Sequence, residues 1–356
     1  TARNPPVPLD MRKLAILCIA LLLALQGCAG RLLTPMQNGV VPQRPLPPLP
    51  TAFAYPKTPV EPIVLEPPQR IGASYIRSRL AFSAGAADPD DEIGLHVHYF
   101  QGAASKPRPV VIVVPIWGNG PYRYPSRKFA QHVRDKSDGR YDVIEILGEP
   151  PLIRWQNLSE AETPAQFRQR AEAMSERIRL ASISIRRMLD WAAAREQVDA
   201  DSAAIVGFSV GAIVTTLVLG TDDRFAAGAL AMGGARYDEI FAHCDGRAGE
   251  LRQTITQRFG WSQERYRRLF ADVFAVGQPR RFERRYDPRK LLMLDAAFDD
   301  CIPEGARDAL WQTLGRPQRI SFLARHRPAF LAFTPLSFNY GGRTIYQFFR
   351  ERLEDP

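Results

Sequence analysis

A serine framed by two glycines, Gly207-Phe208-Ser209-Val210-Gly211, lies between the apolar run AAIV (203–206) and the small-residue stretch AIVTTLVLG (212–220). The chemistry this spacing suits is nucleophilic attack. A hydroxyl attacks a carbonyl only when a base takes its proton and donors already aimed at the site hold the charge that develops on oxygen. Two glycines remove the Cβ atoms that would collide where a strand bends sharply into a helix, which leaves Ser209 Oγ projecting above the sheet edge. The helix that starts there offers unpaired N–H groups to an anion. Ser209 is therefore the candidate nucleophile. Of the five histidines, only His243 and His326 follow it in the chain.

Such a turn needs a sheet beneath it, and the flanking text supplies one. Strands are expected at 75–84 and 93–102, separated by AADPDDE, and the second alternates apolar and polar residues. His96 and His98 share a face of it. With no third ligand of the right type nearby, they read as surface or packing residues. The continuous run VVIVV within 108–120 reads as a strand buried on both faces, the mark of a parallel sheet. YDVIEI (141–146), FAAGALAMGGA (225–235), LLML (291–294) and RISF (319–322) follow as strands. A long amphipathic helix is expected over about 165–196, with Met174, Ile178, Ile185, Leu189 and Trp191 on the sheet. From Arg236 to Asp287 the text turns charged, aromatic-rich and helical, which reads as an insertion. Trp261, Tyr266, Phe270 and Phe274 would supply the apolar face of such a lid.

The strand-GFSVG-helix unit, followed by LMLDAAFDDCIP (292–303) and then His326, resembles the α/β-hydrolase superfamily over about Tyr75–Leu353, in particular its dienelactone-hydrolase and esterase-like serine hydrolases. The resemblance implies an α/β-hydrolase fold: a mostly parallel sheet of about eight strands, helices on both faces, and a helical lid inserted at about 236–287. In that family the chain order is serine, acid, histidine, which makes His326 the base. Asp299 aligns with the acid, and Asp300 and Asp295 are alternatives. PIWGNG (115–120) stands where the family carries an HG-type oxyanion loop, although no histidine is present here. Trp117, or Ile116 one residue earlier, would pair its N–H with that of Val210. Asn119, Tyr122 and Tyr124 would line the pocket mouth. The reaction implied is hydrolysis of a small-molecule carboxylic ester through an acyl-enzyme, with neither metal nor organic cofactor. A serine peptidase or amidase of the same fold, or an inert lipid-anchored binding protein, are the other readings.

The N-terminal text concerns location. Residues 1–10 read as an upstream extension, and 11–27, with Arg12, Lys13 and the apolar run 14–25, as a signal peptide. The run is too short to span a bilayer. Leu25-Gln26-Gly27-Cys28 resembles the bacterial lipoprotein lipobox, which implies lipidation of Cys28. Ala29 rather than Asp after it implies the outer membrane, facing the periplasm. Residues 28–70, dense in proline, read as a semi-extended tether that stands the domain, 71–356, off the membrane. Cys244 and Cys301 are then the cysteines left in the domain, and pairing and free thiols both remain open. Loss of 1–27 removes Arg3, Arg12 and Lys13 against Asp10 and lowers the formal charge from +9 to +7. The basic runs at 258–270 and 280–290 read as solvated faces, and no nucleic-acid-binding motif is present. Oligomeric state is not readable from this text.

Overall fold

The computed structural model describes residues 30–37, 41–58, 60–83, 94–117 and 124–354. The segments read as upstream extension and signal peptide, the lipidation residue Cys28, the 86–92 turn, and Asn119 and Tyr122 lie outside them.

The strands are β1 (Arg31–Thr34), β2 (Ile63–Ile71), β3 (Tyr75–Phe82), β4 (Leu95–Gly102), β5 (Arg108–Val114), β6 (Asp142–Ile146), β7 (Val198–Phe208), β8 (Phe225–Ala231), β9 (Leu291–Ala296) and β10 (Gln318–Phe322). They form one ten-stranded sheet in the order β1-β10-β9-β8-β7-β5-β6-β4-β3-β2. From β6 to β10 the neighbours run parallel, and the β6-β4-β3-β2 side and β1 are antiparallel. The helices are α1 (Tyr124–Ser137), α2 (Trp155–Ser159), α3 (Pro164–Ala193), α4 (Val210–Thr221), α5 (Tyr237–His243), α6 (Arg247–Phe259), α7 (Gln263–Val273), α8 (Glu304–Thr313), α9 (His326–Ala329) and α10 (Tyr340–Leu353).

The apolar run of β5 has the structure its composition demands. Val110, Ile112 and Val114 point into one core with Met174 and Ile178 of α3 and Val214 of α4. Val111 and Val113 point into the other, with Phe129 of α1 and Phe349 of α10. Successive side chains of a strand face opposite ways, so a strand covered on both sides must be apolar at every position. At the start of α3, Pro164 occupies the first turn and Thr163 Oγ1 accepts from the Gln166 N–H at 3.2 Å. That is a side-chain cap for an otherwise unpaired donor.

Two findings correct the expectation of about eight strands and a proline-rich tether, and they have one cause. The eight expected strands are β3 to β10. The two additional ones, β1 and β2, are edge strands drawn from the segment read as a tether. β2 pairs with β3 despite Pro67 and Pro68, and its register shifts between Val64 and Glu66 and again between Glu66 and Gln69. An edge tolerates proline because the missing N–H can face solvent. Between the two strands the chain is strapped to the domain. Phe53 is fully buried with its ring 5.2 Å from that of Phe282, Arg186 donates to the Phe53 carbonyl at 2.7 Å, and Arg44 pairs with Asp223 at 2.6 Å. Proline erased the periodicity on which the strand reading relied, and single apolar anchors leave no period at all.

Candidate active site

Ser209 follows the last residue of β7 and precedes the first residue of α4, with φ 51° and ψ −114°. A non-glycine residue rarely occupies that region, and it persists only where the surroundings hold it. Here the Ser209 N–H donates to the Ala231 carbonyl at 2.8 Å and its own carbonyl accepts from the Ala212 N–H at 2.8 Å. The two glycines make room for the bend. A Cβ on Gly207 would lie 2.3 Å from the Gly211 carbonyl oxygen, and one on Gly211 would lie 2.4 Å from that of Pro115. A serine at a helix N-cap ordinarily spends its hydroxyl on the first turn; this one makes no such bond. Its Oγ faces His326 Nε2 at 3.1 Å instead.

His326 opens α9 just beyond β10, and its Nδ1 lies 2.8 Å and 3.0 Å from the two carboxylate oxygens of Asp299. A carboxylate only accepts, so Nδ1 carries the proton and Nε2 presents its lone pair to Ser209. Asp299 is itself oriented: its Oδ1 accepts the N–H groups of Cys301 at 2.8 Å and Ile302 at 2.7 Å. The alternative acids have other partners. Asp300 accepts the backbone N–H of His326 at 3.2 Å, and Asp295 is buried in β9 against Arg319 at 2.6 Å. Ser209, His326 and Asp299 thus meet at the carboxyl end of three different strands. His243 ends α5, exposed and outside this chain of contacts.

A cavity of about 750 Å³ opens onto Ser209 and His326, lined mostly by apolar side chains. Ile116 and Trp117, the two candidate oxyanion donors, and Val210, at the start of α4, all line it, as does Tyr124. The insertion between β8 and β9 closes one side through Tyr237, Ile240 and Phe241 of α5 and Ala248 of α6. Phe274 also lines the cavity, whereas Trp261, Tyr266 and Phe270 pack against Phe167 of α3, with ring centroids 6.0–6.1 Å away. Sequence reading assigned these rings to the lid's apolar face; they anchor the insertion to the body, and α5 forms the wall. The i, i+3, i+4 spacing of Tyr237, Ile240 and Phe241 directly after β8 is the signal that marks that wall. Burial pushes the Tyr237 hydroxyl well above the ordinary phenol range, so it stays protonated. A disulfide joins Cys244, which caps the end of α5, to Cys301, two residues past Asp299. It ties the insertion to the loop that holds the carboxylate.

No family model matches this sequence, and no curated protein matches it. Solved structures do. An acetyl xylan esterase from Paenibacillus sp. R4 superposes with a TM-score of 0.58 at 15% identity, over 82% of this chain and 90% of that one. Acetyl xylan esterase 1 from Thermoanaerobacterium sp. JW/SL YS485 gives 0.56 at 12% identity, over 81% and 89%. The acylaminoacyl peptidase of Pyrococcus horikoshii gives 0.52 at 15%, over 80% of this chain and 43% of that one. With six parallel strands at its centre, helices on both faces and a strand-serine-helix bend at the carboxyl edge, the chain has the α/β-hydrolase fold.

Proposed function

We propose that this protein is a serine hydrolase that cleaves carboxylic esters. The observation that carries the reading is the unbroken relay from Ser209 Oγ through His326 to Asp299 at the mouth of an apolar cavity. In this reading His326 Nε2 takes the Ser209 proton as Oγ attacks the ester carbonyl. The N–H groups of Val210 and of Trp117 or Ile116 hold the oxyanion, and the imidazolium then gives its proton to the departing alcohol. Water activated by the same nitrogen attacks the acyl-enzyme and releases the acid. Asp299 keeps the imidazole in the useful tautomer throughout. The likeness to two acetyl xylan esterases supports an ester as substrate. A p-nitrophenyl ester series from acetyl to palmitoyl tests it. Ser209→Ala and His326→Ala should each reduce turnover by a factor on the order of 10⁴ or more. A folded wild-type protein that turns over none of these esters sinks the reading.

The likeness to an acylaminoacyl peptidase supports amide cleavage by the same groups as a second reading. Turnover of a p-nitroanilide series in excess of the matched esters would favour it. We propose further that the protein is exported and lipidated at Cys28. The lipobox-like LQGC motif supports this, and so does the Cys244–Cys301 disulfide, a bond that persists in oxidising compartments. Palmitate labelling that survives in Cys28→Ala would refute it.

A further inference from the structure

The chain's described N-terminus lies at the same end of the sheet as the relay. β1 runs antiparallel to β10, with Arg31 beside Phe322, and the Leu323 N–H donates to the Gly30 carbonyl at 2.9 Å. His326 stands three residues beyond Leu323. Cys28 precedes Gly30 by two peptide steps, a reach of at most about 7 Å. The described part of the segment that reads as a spacer therefore starts beside the strand that leads to His326.

Around this mouth, large apolar side chains stand in solvent. Phe298 is 65% exposed, Leu336 69% and Phe338 82%. Each adjoins a segment that borders the site. The Phe298 N–H donates to Ala324 at 3.0 Å, two residues before His326. Leu336 and Phe338 sit between Thr334, which lines the cavity, and Tyr340, whose ring packs on Phe322 and carries the Arg31 guanidinium at 3.9 Å. Arg325, 73% exposed and 3.8 Å from Asp300, and Arg327, at the cavity rim, add cationic charge. A cluster of exposed apolar groups interleaved with arginines marks an interaction surface. A symmetric contact with a second copy would set these arginines near their own images, whereas an anionic bilayer would attract them.

We propose that this rim docks the cavity mouth onto an anionic phospholipid bilayer. Phe298, Leu336 and Phe338 enter the interface, and Arg31 and Arg325 face lipid phosphates. β1 then acts as the reverse of a spacer, since it holds the anchor point at the mouth. Where the ester reading also holds, on which this step rests, the substrate class is an ester that itself partitions into lipid and reaches Ser209 from the membrane side.

Sedimentation with phosphatidylcholine vesicles, with and without phosphatidylglycerol, tests the surface on a chain that starts at Gly30. That chain keeps every described element and both cores. Wild type should partition onto the anionic vesicles, and the combined Leu336→Ser and Phe338→Ser variant should partition at least about tenfold less. Arg325→Glu should cost roughly fivefold or more. Both exposed positions leave the cores intact, and unchanged near-ultraviolet circular dichroism checks this. Equal partition of wild type and the double variant overturns the proposal. So does self-association without lipid that the double variant abolishes, which would give the surface to a second copy. Vesicle binding needs no turnover and should persist in Ser209→Ala, so failure of the ester reading and failure of the docking surface remain distinguishable.

Discussion

The serine bend and the N-terminal wrap are both written in residues that break regular structure, and they meet opposite fates. At the bend, every atom is crowded. A single Cβ on Gly211 would meet the carbonyl oxygens of both Pro115 and Val114, at 2.4 and 2.6 Å, so the backbone has one path and Ser209 has one direction. Along the wrap, contact is sparse. β2 is exposed at seven of its nine positions, and Phe53 is the fully buried anchor between the edge strands. Glycine in the first region is a steric requirement, whereas proline in the second is a tolerance that the sheet edge permits. Residue types therefore carry little meaning until their neighbours are counted.

Five substitutions probe that contrast, ranked by their expected effect on turnover apart from Asp300→Asn, which stands beside Asp299→Asn as its control. Asp299→Asn should lower kcat by a factor on the order of 10⁴, because the imidazole loses the group that sets its tautomer. Asp300→Asn should cost about tenfold at most, since its side chain meets the His326 backbone N–H and the Arg325 guanidinium rather than the imidazole. Comparable losses in the two would break the assignment of the acid. Gly211→Ala should come next, with roughly 10²-fold lower kcat from a displaced nucleophile and about 1–3 kcal/mol of lost stability. Wild-type kinetics in that variant would mean the bend is looser than its contacts imply. Phe53→Ala belongs to the other region and should separate the two quantities. Stability in a denaturant titration should fall by about 3–5 kcal/mol while turnover of the folded protein is unchanged. A drop in kcat would show that the wrap shapes the site. Pro68→Thr should do least, with a change in stability below about 0.5 kcal/mol and none in turnover.

Legibility in the sequence follows the same division. The parallel strands were readable because burial on both faces forces unbroken apolar runs, as in β5. Ser209 stands out in the sequence as a glycine-framed serine, and His326 as a candidate base because the chain order of the resembled family points past His243. The resemblance favours Asp299 over Asp300 and Asp295, but the different contacts of the three belong to the fold and not to the sequence. Adjacent residues of a loop point in different directions, and Asp295 is an in-sheet partner for Arg319. The wall formed by α5 was assigned to other rings of the insertion, since helical spacing shows that a face is apolar but not what covers it. The pairing of Cys244 with Cys301 depended on a distance across the fold. The edge strands were illegible, because bulges and prolines remove the alternation by which a strand is recognised.

The pairing of β1 with β10 also has a consequence in time. Arg31 meets Phe322, so β1 finds its partner only after β2 to β9 have been made. Contacts of such separation form late, because a long loop must close before they are rewarded. During synthesis residues 31–34 must wait unpaired, and the His326 loop, next to β10, is among the last parts to gain its neighbours. The cavity mouth is therefore completed only once β1 and β10 have met, which ties the onset of any activity there to the synthesis of β10.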